Sequence, residues 1–208
     1  MMATAAPALA GLADAVHDGQ RIFRAVLDAL SRPGQPVALA STYNGLTDLP
    51  ATAPAPLAAV LLALADHETP VWLDASLAPL LSGLLRFHCG APLVMTTSAA
   101  IFAAFGAGAG LPPLTHFAWG SAEYPDRSCT LLIALHSLQG GTPVTLQGPG
   151  IASSTVIAPQ GLPATFWRER SAMQQEFPLG VDCLLLDATH AIGLPRTTLA
   201  TVGNAACM

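Results

Sequence analysis

Between Arg86 and Glu123 the chain carries no Asp, Glu, Lys or Arg. So long a stretch without charge belongs either in a bilayer or in the interior of a fold, and the choice constrains the rest of the chain. A membrane-spanning helix needs roughly 20 mostly apolar residues in one run. Here "APLVMTTSAAIFAAFGAGAGLPP" is broken by Thr96, Thr97 and Ser98, by Gly106, Gly108 and Gly110, and by Pro112-Pro113. The pattern predicts an interior piece: a buried strand over "PLVMT", a short helix over "TSAAIFAAFGA", then a glycine-rich loop. The other long apolar run, "LAAVLLALA" from Leu57, ends at Asp66 and is too short to span. No membrane association is expected.

Strands and helices alternate on both sides of this stretch. In "GLADAVHDGQRIFRAVLDALSRPG", Val16, Ile22, Phe23, Val26, Leu27 and Leu30 recur at helical spacing, and Pro33-Gly34 stop the helix. "PVALA" reads as a strand, "APAPLAAVLLALADHET" as a helix, "PVWLD" as a strand and "ASLAPLLSGLLRFHCGA" as a helix. Later come the apolar strand "CTLLIALHSL" and two neighbouring strands, "TPVTLQGPG" and "IASSTVIA", joined through a turn. The helix "PATFWRERSAMQQEF", the buried strand "VDCLLLD" and a short extended "AIGLP" complete the chain. Strands alternating with helices early and pairing with each other later predict an α/β fold, a mixed sheet covered on both faces. A single domain over residues 1–208 is expected, with flexible ends at about 1–10 and 201–208.

Charged residues make up 10% of the chain, against about 25% in an ordinary domain. So charge-poor a surface is expected to be partly covered by another chain. The net charge of −5 leaves no basic patch able to hold a polyanion, so nucleic acid is not expected. The run "MMATAAPALAGLADAV" lacks a positive start and does not read as a signal peptide. Cys89, Cys129, Cys183 and Cys207 form no C-x-x-C pair. Reduced thiols in the cytoplasm are the expectation.

Four polar spots stand out, each with a structural account beside the functional one. Gly148-Pro149-Gly150 in "QGPGIASS" comes after a strand, as phosphate loops do. It lacks the P-loop lysine and the G-x-G-x-x-G spacing, and the segment after Gly150 reads as a strand, so no helix N-terminus faces an anion. A structural turn is expected, with Gly148 and Gly150 allowing positive φ or close chain approach. In "AEYPDRS", Tyr124, Asp126 and Arg127 either cap the next strand and pair locally or recognise a ligand phosphate or a partner carboxylate, since the arginine fork suits both. In "LPRTT", Arg196 beside Thr197 grips either a phosphate or a facing backbone. In "DHETP", Asp66, His67 and Glu68 invite a metal or acid–base reading, but three adjacent side chains converge poorly on one ion, and a polar helix end also explains them. No H-E-x-x-H and no G-x-S-x-G is present. No metal site and no catalytic residue is assigned.

In order and spacing, "DHETPVWLD", "FHCGAPL", "GSAEYPDRSCTLL", "GPGI", "FPLGVDCLLLD" and "LPRTT" resemble the PhnH family of the phosphonate carbon–phosphorus lyase system, across about residues 10–200. Cys129 stands where a small residue is the expected one. The resemblance implies a cytoplasmic accessory subunit of alkylphosphonate catabolism and phosphorus assimilation, not catalytic alone. It implies assembly with subunits G, I and J and a homodimer in isolation. With subunits G, I and L it implies a requirement in forming ribose 1-phosphonate 5-triphosphate from ATP and phosphonate, a transferase step that precedes the lyase. An alternative is that Tyr124, Asp126, Arg127, Arg196 or Thr197 contributes to a nucleotide or phosphonate site shared with a partner. The family's fold is an α/β/α sandwich similar to pyridoxal-phosphate-dependent transferases. All eight basic residues here are arginine, so the Schiff-base lysine of those enzymes is missing and no cofactor is expected.

Overall fold

The structure, a computed structural model, describes residues 11–43, 46 and 49–203. Cys207, the expected flexible segment 1–10 and residues 204–208 of the expected flexible segment 201–208 lie outside these residues.

Three helices form early, each for a different local reason. In α1 (Ala15–Ser31), Asp14 caps the first turn by accepting from the backbone amides of Val16 and His17, and Ile22, Ala25, Val26 and Ala29 face inward. In α2 (Ala55–Leu64), Pro56 sits in the first turn, where its missing N–H costs nothing, and residues 56–61 are all buried. In α3 (Ala78–His88) the inward residues are Leu81, Leu84 and Leu85.

The main sheet has four parallel strands, β2 (Val71–Leu73), β3 (Phe102–Phe105), β4 (Thr130–Ala134) and β7 (Asp182–Leu186). An antiparallel hairpin partner, β8 (His190–Leu194), pairs with β7, and β1 (Val37–Ala38) closes the edge on β8. The order is β1-β8-β7-β4-β3-β2. Period-two alternation sends Ala104, Leu132 and Leu184 toward α1, α2 and α3, and Ala103, Leu131, Cys183 and Leu185 the other way. Two apolar cores result, one on each face. On the first, α1 lies so close to β8 that a Cβ at Gly193 would collide with the Ala29 carbonyl.

The second face corrects part of the sandwich expectation. It is covered by a three-stranded antiparallel sheet and one helix, where an all-helical outer layer was expected. The strands are β5 (Val144–Gln147), β6 (Thr155–Ile157) and β9 (Leu199–Val202), ordered β6-β5-β9. The helix is α4 (Ala164–Met173). The chain between β4 and α4 makes two of these strands before it can make a helix, so strands fill much of the layer. Thr201 and Val202, placed by the sequence in a flexible end, pair with Thr145 and Val144.

Two more expectations fail for one reason. The segment expected as a short helix contains the strand β3, and "PLVMT" contributes an isolated bridge between Leu93 and Val71 in place of a strand. A four-residue apolar run has no period that separates a buried strand from a helix turn, and pairing between β2 and β4 decides it.

Candidate functional site

The three polar motifs of the second half meet in space. "EYPDRS" forms a 3-10 turn, Pro125–Arg127, just before β4. "FPLGVD" leads into β7, and "LPRTT" links β8 to β9. Arg196 fastens them together. Its backbone N–H donates to Asp182 Oδ1 at 2.7 Å and its Nη2 to Asp182 Oδ2 at 2.6 Å. Nη1 donates to the Pro125 carbonyl at 2.6 Å and to the Pro178 carbonyl at 3.4 Å, and Nη2 also reaches Ser128 Oγ. This guanidinium is turned inward onto acceptors of its own chain.

Arg127 is exposed and stacks its guanidinium 4.2 Å from the centre of the Tyr124 ring. Asp126 and Thr197 border a shallow depression of about 330 Å³, which Pro125, Phe177, Pro178 and Pro195 line as well, together with Asp182 and Arg196. Tyr124, Asp126, Arg127, Arg196 and Thr197 therefore share one surface region.

The glycine turn lies beside it. The Ile151 amide donates to the Gly148 carbonyl at 3.1 Å. Gly148 has φ 139° and Gly150 φ 83°, and Pro149 bridges them. A Cβ on Gly148 would press on the Thr197 carbonyl, and one on Gly150 would collide with the Ser31 carbonyl at the end of α1. The turn runs from β5 to β6, with no helix N-terminus after it.

In "DHETP", Asp66 Oδ1 accepts from Thr69 Oγ1 at 2.6 Å and from the Glu68 amide at 2.9 Å. These bonds, the Thr69 one first, hold its carboxyl below the usual range. Among the described residues no group of three or more His, Cys, Asp and Glu is placed to hold a metal ion.

Two features escaped the sequence reading. At the carboxyl ends of β2, β3, β4 and β7, where ligands of open α/β sheets sit, two adjoining cavities of about 490 and 440 Å³ share Thr52, Pro54, Ala107 and His136. Asp74, almost fully buried, holds Ser76, Leu77 and Gly106, which line the larger of the two. Its Oδ1 accepts from the Leu77 amide at 3.0 Å and from Ser76, and its Oδ2 from the Gly106 amide. The signal was available, because Asp74 closes a strand and opens a helical segment. The other feature is Arg170, buried in the second core. It donates to the carbonyls of Val181 and Pro195 and to Cys183 Sγ, while its Nε has no partner. Its place on the helical stripe of Phe166, Trp167 and Met173 was the signal. Burial pushes the Cys129 thiol up to about 12, and burial raises Cys183 too, against the pull of Arg170.

Fold and site together define a mixed α/β protein whose best-marked arginine, Arg196, ties down its own backbone. A family model described as bacterial phosphonate metabolism protein (PhnH) matches residues 10–201. The chain is 40% identical over 191 residues to the Rhizobium meliloti (strain 1021) protein named alpha-D-ribose 1-methylphosphonate 5-triphosphate synthase subunit PhnH, covering 89% of this chain and 92% of that one. A shorter match, 35% over 79 residues, covers 38% of this chain and 40% of the Stutzerimonas stutzeri protein named "Putative C-P lyase subunit protein HtxG". The chain belongs to the PhnH family.

Proposed function

We propose that this chain is an accessory subunit of the assembly that turns ATP and an alkylphosphonate into ribose 1-phosphonate 5-triphosphate, acting in the cytoplasm with subunits G, I and L and in one complex with G, I and J. The observation that carries the reading is the 40% identity, over nearly the whole of both chains, to a protein named as a subunit of that synthase. Two features of the molecule support a role carried out in company. Large apolar side chains stand exposed, among them Val16, Phe23 and Leu27 on α1 and Met95, which is 91% exposed. The inward engagement of Arg196 suits a residue that shapes a surface better than one that handles a substrate. The exposed α1 residues also suit a homodimer in isolation.

The fold analogy with pyridoxal-phosphate-dependent transferases raises the question of that cofactor. The residues do not fit it. There is no lysine for a Schiff base, and the carboxylate at the strand ends, Asp74, is saturated by hydrogen bonds from Ser76, Leu77 and Gly106. No cofactor is therefore part of the proposal.

In a second reading, surface residues join a nucleotide or phosphonate site completed by a partner. Arg127 favours it, since its guanidinium is exposed and has no ion-pair partner among the described residues.

Co-expression with subunits G, I and J, size-exclusion chromatography and a triphosphate-forming assay with and without this chain test the main reading. Co-elution, with activity lost on omission, is expected. Separate elution with unchanged activity overturns it. Nucleotide binding by the isolated chain would move weight to the second reading.

A further inference from the structure

We propose that the depression between the 3-10 turn at Pro125–Arg127 and the Phe177-Pro178 segment is a docking face for another protein chain, which enters it with a basic segment carrying an apolar side chain. The proposal rests on the reading of this chain as one subunit of an assembly.

The floor and walls are apolar and rich in proline: Pro125, Phe177, Pro178 and Pro195. Phe177 is 59% exposed and Tyr124 48%, a large apolar area to leave in water on a lone chain. Asp126 in the lining is an exposed carboxylate, and the exposed Glu123 and Glu176 lie next to the lining segments in the chain, just before Pro125 and Phe177; none has an ion-pair partner among the described residues. Against them the rim has one exposed cation, Arg127, already stacked on Tyr124. The second cation, Arg196, is neutralised by Asp182 and directs its donors inward. The formal charge of these segments is therefore negative. It repels free phosphates and phosphonates and attracts lysine and arginine. An apolar centre inside a charged rim is the anatomy of a protein interface, in which the rim sets encounter and choice of partner.

The face is also preorganised. Nη1 of Arg196 holds the carbonyls of Pro125 and Pro178, residues from opposite walls, on one nitrogen. The walls thus keep their spacing before any partner arrives, which lowers the ordering cost of binding. Arg196 is a positioning residue in this account.

The test uses the full chain and the co-expressed G, I and J subunits as the probe. Affinity is measured at low and high ionic strength for wild type, for the charge reversal E123R/D126R/E176R and for Phe177→Ser. Folding is checked by thermal melting. We expect the wild-type affinity to fall with salt, the reversal to weaken binding about tenfold or more at low salt, and Phe177→Ser to weaken it at both ionic strengths, with melting unchanged in each. If wild type joins the assembly and the reversal joins equally well, the docking face is wrong while the subunit reading stands. If the reversal dissolves a homodimer and leaves the assembly intact, a second copy owns this face and the proposal falls. If wild type stays out of the assembly, both readings fall together.

Discussion

The two faces of the main sheet are covered by different means. The face under α1, α2 and α3 is held by apolar contact: Ile22, Leu57, Leu61, Leu81, Leu84 and Leu85 are fully buried, and Asp18 is its one buried charge among the described helical residues. The face under α4 and the small sheet has a comparable apolar core, around Phe105, Phe166 and Trp167, but polar side chains pin its pieces to the backbone. Arg170 holds the carbonyls of Val181 and Pro195, Ser171 that of Ala200 at 2.7 Å, and Glu169 accepts the amide of Leu114 at 2.7 Å. Long regular helices satisfy their own amides and need only an apolar stripe to stay in place. Short strands and turns leave amides and carbonyls open, and buried ones must find side-chain partners. The contrast shows why Arg196 belongs to the architecture. It sits where the chain leaves the main sheet for the small one and supplies donors that a helical layer would not require.

The sharpest way to break the comparison is to attack the helical face sterically. Gly193→Val places side-chain atoms where the Ala29 carbonyl lies, and we expect a loss of about 3 kcal/mol or more in chemical denaturation, because a packed backbone cannot step aside. A loss under about 1 kcal/mol would show that α1 is free to shift. On the other face, Asp182→Ala leaves the Arg196 guanidinium half-buried without its carboxylate. About 2 to 3 kcal/mol should go, seen as a melting temperature lower by roughly 5–10 °C. Unchanged melting would mean that the pins are ornaments on an apolar face like the first. Gly150→Ala forces a left-handed residue and a collision with Ser31, so about 1 to 2 kcal/mol of stability should be lost before any ligand affinity or complex activity changes. A retained melting temperature with lost activity would make the turn a functional site.

A further effect is a pH slope from the second core. The Cys129 thiol is held neutral in the fold, pushed from an ordinary 9.0 to about 12, chiefly by burial. The unfolded chain gives up this proton near 9, so stability is fully present below that pH and falls as pH rises toward 12. Between the two values the slope is about 1.4 kcal/mol per pH unit. Urea denaturation from about pH 8 to about pH 11 should show it, and Cys129→Ala should flatten it.

Much of the helical face was legible beforehand. The stripe through Ile22 and Val26 and the stops at Pro33-Gly34 predicted α1, and Pro54 and Pro56 marked the start of α2. The β5–β6 pair was legible from its turn residues. The small sheet as a third layer was not, because β9 reads as an unremarkable tail until Val144 and Thr145 pair with it. Tyr124, Asp126, Arg127, Arg196 and Thr197 were each picked out as polar islands in an apolar chain, yet their meeting on one surface needs β4, β7 and β8 to lie side by side.

The sequence by itself determined the class of fold, the absence of a Schiff-base lysine and the family to which the chain belongs, because hydrophobic period, residue chemistry and motif order are local or linear properties. Tertiary structure alone decided that "FAAF" is a strand, that Arg196 faces inward onto Asp182, Pro125 and Pro178, and that Asp126, Phe177 and three prolines line one depression. Those outcomes depend on which distant segments become neighbours, and long-range pairing, unlike periodicity, leaves no mark in the residues that undergo it.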